Sequence, residues 1–416
     1  MLVEKRDGRI VPFDKEKIVT AIEGAFIDLD KASEYSHLKA REIANFIANT
    51  DRKYISVEEI QDIIEQKLMA SQAKDVAKQF IIYRNEREKI RLNNSKLIRL
   101  VGEKLRAENV MNQNANVDER SFGGRIGEAS RAVTKQYALD NLMSTMSKEN
   151  HINNMIYIHD LDSYAVGMHN CLSIPFDDLL ANGFTTRQCD IRPANSINTA
   201  FQLIAVLSQI QSLQQFGGVS ATHLDWTMVP YVRKSFYKHY MDGMHYIEGL
   251  NDTYVESYKW IEYRLSEGID AECYKSHSRV YQYAMDMTEK ELKQAVEGLY
   301  HNLNSLQSRS GNQLPFTSIN YGTCTLPEGR MVTRALLKGS IKGVGKHHRT
   351  SIFPCGIFKC KRGINLEEGD PNYDLFKLAL ESTAKRLYPN YANVDWSGNA
   401  GYDPNDPRTE FSTMGL

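Results

Sequence analysis

Cysteine is scarce in this sequence. Six stand among 416 residues, at positions 171, 189, 273, 324, 355 and 360. That density excludes a disulfide scaffold and suits a reducing cytoplasm, so a cytoplasmic location is expected. Cys355 and Cys360 are separated by four residues with no second pair after them, so no metal site is expected here. No uncharged apolar run reaches the length of a membrane span. The opening MLVEKRDGRIVPF mixes acids with bases and holds no apolar core of a secretory signal. Net charge is absent too: at -1 the chain has no global pull toward nucleic acid or membrane, and neither is expected as a partner. Any basic site must be local. Repeats and low-complexity tracts are missing from the body of the chain. What remains is ordinary for a globular protein, 42% hydrophobic and 25% charged, and 416 residues exceed one core, so two or three domains are expected.

The first module spans residues 1–95. Apolar positions flank Asp7-Gly8, a strong turn pair, and predict a hairpin over Leu2 to Phe13. Asp14 is placed to cap a helix with Ile18, Ile22, Ala25 and Phe26 on one stripe. A second helix is predicted from Tyr35 to Ala48. Ser56 and Glu59 form a capping box before a third helix bearing Ile60, Ile63, Ile64 and Leu68. A fourth carries Val76, Phe80 and Tyr83 before turning highly charged. Lys5, Arg6 and Arg9 lie beside the hairpin turn, and Lys15 and Lys17 enter the first helix. Such a set reads either as a solvated basic face or as charge-assisted donors gathered for phosphate.

Residues 96–116 are polar and asparagine-rich and read as a linker, a connecting helix followed by a loop. Beyond it, a helix is predicted from Ala129 to Met146 and a strand-like run from Met155 to Asp160. A strong helix follows from Asn198 to Gln215, stopped by Gly217-Gly218. A long helical tract runs from Val229 to Leu265, with a further helix from Glu289 to Leu303. Ser318 to Tyr321 and Ser351 to Phe358 read as strands. Strands separated by helices predict an α/β body.

The opening pattern V-x-KRDG-x-x-x-x-F with Lys17-Ile18 resembles the ATP-cone that begins many ribonucleotide reductases, and the closing Tyr83, Arg84 and Arg87 fit its end. The likeness implies that Val3, Lys5, Arg6, Lys17 and Tyr83 bind ATP or dATP as allosteric effectors. Further on, NxNANVDE and SFGGR, YIHDLD at 157–162, HNC at 169–171 and FGGVS at 216–220 resemble the catalytic subunit of anaerobic (class III) ribonucleoside-triphosphate reductases. So do SGNQLPFTSIN at 310–320, IFP at 352–354 and GDPNYDL at 369–375. The resemblance implies residues 117–416 to be the N-terminal part of a ten-stranded α/β glycyl-radical barrel. It implies reduction of ribonucleoside triphosphates by radical chemistry. Cys171 takes the role of reducing hydrogen donor; a buried core cysteine is the alternative on residue type alone. His159, Asn170, Ser318 and Asn320 are candidates to contact the substrate. Gly217, Gly218 and Ser220 read as a plain helix stop or as a nucleotide contact. The family further implies formate as reductant, a homodimer and a radical-SAM activase.

Where the family has the thiyl-radical cysteine after a Met-Gly pair, this sequence has Leu416. The expectation is therefore a truncated or split-gene fragment, inactive alone, with the glycyl radical and zinc in a missing C-terminal half supplied by another chain. A nucleotide-sensing regulatory or dimerisation protein without catalysis is the competing reading. A formate-lyase relative is a third, against which the cone and the histidine motifs argue.

Overall fold

The structure, a computed structural model, describes residues 1–6, 8–106, 117, 120–167, 169–250, 258–308, 312–395 and 401–414. Several expectations fall outside these residues: Asp7 of the turn pair, the asparagine-rich motif at 112–116 with Asp118 and Glu119, Met168, residues 251–257 of the long helical tract, Ser310 and Gly311, and Gly415 with Leu416. The chain divides into two compact units, Met1–Leu100 and Val101–Leu416.

In the first unit, β1 (Leu2–Glu4) and β2 (Ile10–Pro12) pair antiparallel, and Gly8 turns with φ +80°. The Asp14 carboxylate accepts from the Glu16 N–H and starts α1 (Lys15–Ile27). Ser33 caps α2 (Glu34–Ala48), one residue before the expected start. Sequence reasoning missed β3 (Tyr54–Ser56), which pairs parallel with β1 across about fifty residues of chain. The Ser56–Glu59 capping box opens α3 (Val57–Met69) in both directions, as its residues require. Helix α4 (Lys74–Arg106) runs through the charged tract and into the segment read as a linker. The core of this unit is its own: Val3, Ile22, Phe26, Ile43, Ile47, Ile64, Leu68 and Phe80 pack together.

The second unit begins with α5 (Phe122–Tyr137), seven residues earlier than predicted, because Ser121 caps it by accepting from the Gly124 N–H at 3.0 Å. A π-turn at Ala138–Leu142 and α6 (Thr145–Ile152) complete the tract. There follow β4 (Leu172–Ser173), α7 (Phe176–Asn182), the hairpin of β5 (Phe184–Thr185) and β6 (Asp190–Ile191), α8 (Ile197–Ser212) and β7 (Val219–Ala221). After a short α9 (Leu224–Thr227), the helical tract expected from Val229 to Leu265 is α10 (Val229–Tyr246) and α11 (Tyr258–Ser266). Gly249, at φ +69°, stands just beyond the end of α10. After α12 (Glu272–Lys275) and α13 (Ser278–Ser305), strand β8 (Thr317–Tyr321), α14 (Pro327–Lys342), β9 (Cys355–Cys360), α15 (Tyr373–Arg386) and β10 (Asn390–Asn393) alternate.

Among the described residues the principal sheet has five parallel strands in the order β10-β9-β8-β7-β4. Each new strand joins beside the last, with helices as crossovers, so the body is the α/β structure the alternation predicts. Ala221, Ile319, Tyr321 and Phe358 join Phe201, Val232, Leu292, Leu299 and Leu336 of the helices in one large core. Asn372 locks the sheet to α14. Its side-chain N–H groups donate to the Gly322 and Cys324 carbonyls at 3.1 and 2.9 Å, and its oxygen accepts from Arg330 at 2.7 Å. No helix among the described residues is long and apolar enough to cross a membrane.

Candidate functional site

Register decides what the sheet can present. Ser173, Ser220, Ser318 and Cys355 are partners in one row across β4, β7, β8 and β9. Side chains alternate along a strand, so this row and Asn320, two residues on, share a face, while Ala221, Ile319 and Tyr321 point into the helical core. One face of the sheet is therefore apolar and covered. The other carries the hydroxyls of Ser173, Ser220 and Ser318 and the Asn320 amide on β4, β7 and β8, and turns apolar at β9, where Cys355 and Ile357 are buried.

Cys171 immediately precedes β4 at the edge of that face. It is a free thiol and exposed, so the core-cysteine alternative is not what the fold makes of it. The Gly218 N–H donates to its sulfur at 3.2 Å, and the thiol donates to the Asn170 side-chain oxygen at 3.6 Å. The neighbouring strand end holds it in place. The Phe216 N–H donates to the His169 carbonyl at 3.3 Å, the Leu172 N–H to the Gly218 carbonyl at 3.0 Å. Buried Gln215 donates to the carbonyls of Gly217 and Gly218 at 3.3 and 2.7 Å. Asn170 backs onto Gly217, where only a missing side chain leaves room. The FGGVS segment thus supplies the cradle on which the HNC segment rests.

Ser318 and Asn320 are both buried on β8. Asn320 is engaged already: its N–H groups donate to the Ala221 carbonyl at 3.0 Å and the Thr413 carbonyl at 2.9 Å, and its oxygen accepts from the Thr413 N–H at 3.2 Å. Beside it lies a charged group that sequence reasoning missed. Lys359 of β9 meets Glu410 at 3.3 Å, and Lys361 meets the other oxygen of Glu410 at 3.2 Å. Burial pulls the Lys359 ammonium below the usual lysine range, against the pull of Glu410 and Asp225. Burial likewise pushes the Asp225 carboxyl up, although it accepts the N–H groups of Gly322 and Cys324 at 2.9 Å each. The available signal was a lysine inside the otherwise apolar run CGIFKC. Asn320, Lys359 and Asp225 lie toward or just beyond the carboxyl ends of their strands, where α/β sheets bind ligands, whereas Cys171 and Gly218 stand just before the amino ends of β4 and β7.

His159 stands apart. The run Met155 to Asp160 forms turns rather than the expected strand, with Asp160 at φ +50°. The imidazole is 79% exposed and bonds to the Asp160 carboxylate beside it. The misreading has a simple cause: a short apolar run with no partner strand has nothing to pair with. The motif at 310–320 is brought to another segment instead, as Asn312 donates to the Ser121 hydroxyl at 2.9 Å. Among the described residues no three His, Cys, Asp or Glu side chains gather as metal ligands, so no zinc is assigned to them.

In the first unit, Val3 is buried and packs the hairpin on the helices. Arg6 bonds to the Glu58 carboxylate and donates to Gln61 at 2.6 Å. Arg84 donates to the same Glu58 at 2.5 Å, to Asp62 at 2.7 Å and to Glu65 at 2.8 Å. The bond from Arg6, more than that from Arg84, holds the Glu58 carboxyl below its usual range against mild desolvation. Lys17 is exposed and lies 3.5 Å from Asp14. The Tyr83 hydroxyl accepts from Arg87 at 3.0 Å. Lys5 shapes the turn through its backbone, donating to the Arg9 carbonyl and accepting from the Gly8 N–H. The guanidinium of Arg6 is thus held by Glu58 and Gln61 of α3.

The pattern of the family described as "Anaerobic ribonucleoside-triphosphate reductase" matches residues 113–415, and that of the "ATP cone domain" matches residues 1–89. The anaerobic ribonucleoside-triphosphate reductase of Haemophilus influenzae is 33% identical, the alignment covering 94% of this chain and 52% of that protein. The reductase of the same name from Escherichia coli is 31% identical over 94% of this chain and 51% of its own length. The chain therefore spans about half the length of the curated relatives it matches. A crystal structure of the anaerobic ribonucleotide reductase from Thermotoga maritima, with glycerol in the active site, aligns at TM-score 0.48 and 14% identity, covering 75% of this chain and 50% of that one.

Proposed function

The chain belongs to the anaerobic ribonucleoside-triphosphate reductase family with an N-terminal ATP-cone, and from that premise we propose that it takes part in the reduction of ribonucleoside triphosphates to deoxyribonucleoside triphosphates under ATP/dATP control. One observation carries the reading: Cys171 is a free, exposed thiol at the rim of a polar strand face, its sulfur fixed by a backbone N–H. Reduction at the 2′ carbon of a ribose needs a hydrogen donor within contact of the sugar, held in one orientation. The Gly218 N–H and the Asn170 oxygen orient the thiol, and the hydroxyls of Ser173, Ser220 and Ser318 give the adjacent face groups that can meet ribose hydroxyls. Asn170 and Ser318 serve substrate contact in this reading, with His159 approaching from its exposed turn when nucleotide binds. Asn320, fully engaged with Thr413, acts on the site through that segment.

The glycyl radical that the family reading implies, formed by a radical-SAM activase, would supply the radical equivalent by way of a cysteine thiyl, and the described residues of this chain would contribute the reducing thiol and the surface that holds the sugar. Formate as reductant, a homodimer and a cytoplasmic setting follow from the same reading. In the cone, Lys5, Arg6 and Lys17 take the effector phosphates, with Val3 and Tyr83 bounding the site. Arg6 leaves Glu58 for phosphate, so charge-assisted bonds are exchanged rather than created. Effector affinity is then a difference between two pairings.

In anaerobic CTP reduction reconstituted with this chain, Cys171→Ser is expected to abolish dCTP formation while ATP titration of the same variant is unchanged. Product at the parent rate would remove the donor role. Lys5→Ala with Arg6→Ala is expected to abolish ATP binding with the Cys171 face intact. ATP binding at parent affinity in that variant would remove the cone site.

A further inference from the structure

The stretch 401–413 is held against the sheet more firmly than a surface segment needs. It is closed on itself first: the Asp403 N–H donates to the Thr409 hydroxyl at 2.9 Å, and that hydroxyl donates to the Asp403 carbonyl at 3.0 Å. It is then gripped at two points. At the first, both oxygens of Glu410 are spent on Lys359, Lys361 and the Thr323 hydroxyl at 3.0 Å, and Lys361 also reaches the Pro404 carbonyl at 2.9 Å. At the second, Asn320 bonds to both the N–H and the carbonyl of Thr413, as a neighbouring strand would.

A buried ion pair is a poor way to stabilise a protein, because desolvation offsets its attraction and apolar residues of similar size do as well. Its advantage is that it admits one partner in one place. Lys359 and Glu410 are almost wholly buried, at 1% and 2% side-chain exposure. Asn320 and the Ser220–Ser318 row lie on the same sheet face, at whose edge Cys171 stands.

We propose that Asn320, Lys359 and Glu410 are positioning residues, which pin residues 410–413 across the polar face of the sheet and so set where Met414 stands relative to the Cys171 thiol. The role rests on reading that face as the substrate surface; the clamp itself exists without nucleotide and is tested without it.

The test uses the full chain with Cys171, Cys189 and Cys273 changed to serine and a nitroxide attached at Met414→Cys. The label's spectrum reports local mobility, and hydrogen exchange of the 408–414 peptide reports the clasp. In the parent the label is expected to be ordered and the peptide protected. Asn320→Ala is expected to free the label and speed exchange by about tenfold, the loss of one or two net hydrogen bonds. Asn320→Asp keeps the acceptor for the Thr413 N–H and is expected to fall between. Should Asn320→Ala fail to fold, Thr413→Pro deletes the N–H and leaves the sheet untouched. Lys359→Met with Glu410→Met separates positioning from stability: the unfolding midpoint is expected to hold while the label is freed. A label already mobile in the parent overturns the proposal. So does one that stays ordered in Asn320→Ala and Thr413→Pro, or in the double variant. Loss of nucleotide binding or of CTP reduction would count against the functional reading and leave these spectra as they are.

Discussion

At the scale of single residues, the thiol's setting depends on one absent side chain. A Cβ at Gly217 would lie 2.4 Å from the Asn170 carbonyl carbon and 2.5 Å from its oxygen, and backbone cannot yield as a flexible side chain can. Gly217→Ala should therefore push the 169–171 segment off the end of β7 at a cost of about 1–3 kcal/mol. Cys171 would lose the Gly218 N–H and react faster with iodoacetamide, as peptide mapping can follow. Unchanged alkylation and an unchanged unfolding midpoint would show that the close approach is not what seats the loop. Helix α8 ends at Ser212, before the pair Gly217-Gly218 expected to stop it, and beside the nucleotide-contact reading the structure adds another role for Gly217. The glycine makes room for the segment that carries the thiol. Nothing in the spacing could show this, because the clash is with a residue 47 positions earlier.

At the scale of elements, one carboxylate ties three helices. Glu291 of α13 accepts from His239 of α10 at 2.8 Å, from the Ser235 hydroxyl of α10 at 3.1 Å and from the Asn198 N–H at the start of α8 at 3.3 Å. Burial pulls its pKa up, but the bonds from His239, Asn198 and Ser235 outweigh burial and leave it below the usual carboxylate range. A group whose folded pKa is depressed contributes stability above its unfolded value, about 4.3, and loses it as pH falls through the folded value. Glu291→Ala should cost about 2–4 kcal/mol at pH 7. The gap from the parent should narrow steadily as urea unfolding is repeated below pH 4. A gap that stays constant with pH would mean that Glu291 acts by packing rather than by charge. Two helix starts were legible, at Asp14 and Ser56, through bonds made within three residues; Ser33 and Ser121 cap in the same local way but went unread, and α5 begins seven residues before the expected Ala129. The Met155–Asp160 run was not legible either, because an apolar stretch becomes a strand only where a partner edge awaits it.

At the scale of the whole molecule, the core of the first unit and the large core of the second have no residue in common. Ile22 is fully buried in the first, and Ile22→Ala should cost that unit about 2–5 kcal/mol. Calorimetry is expected to show the transition of residues 1–100 lowered and that of 101–416 unmoved. ATP at a hundredfold its Kd should restore about 2.7 kcal/mol to the first alone. A single transition that shifts as one would contradict this. The amino-acid sequence by itself determined the family, the α/β class, the hairpin, the caps and the apolar stripes, since these arise from contacts within a turn or from the periods 2 and 3.6. Only the tertiary structure decided that β3 joins β1, that Cys171 leans on Gly218, that Arg6 faces Glu58, and that Lys359 and Asn320 hold Glu410 and Thr413. Those pairings join residues dozens of positions apart, and their geometry exists only once strand register is set, because a slip of one residue would turn every side chain on the sheet to its other face.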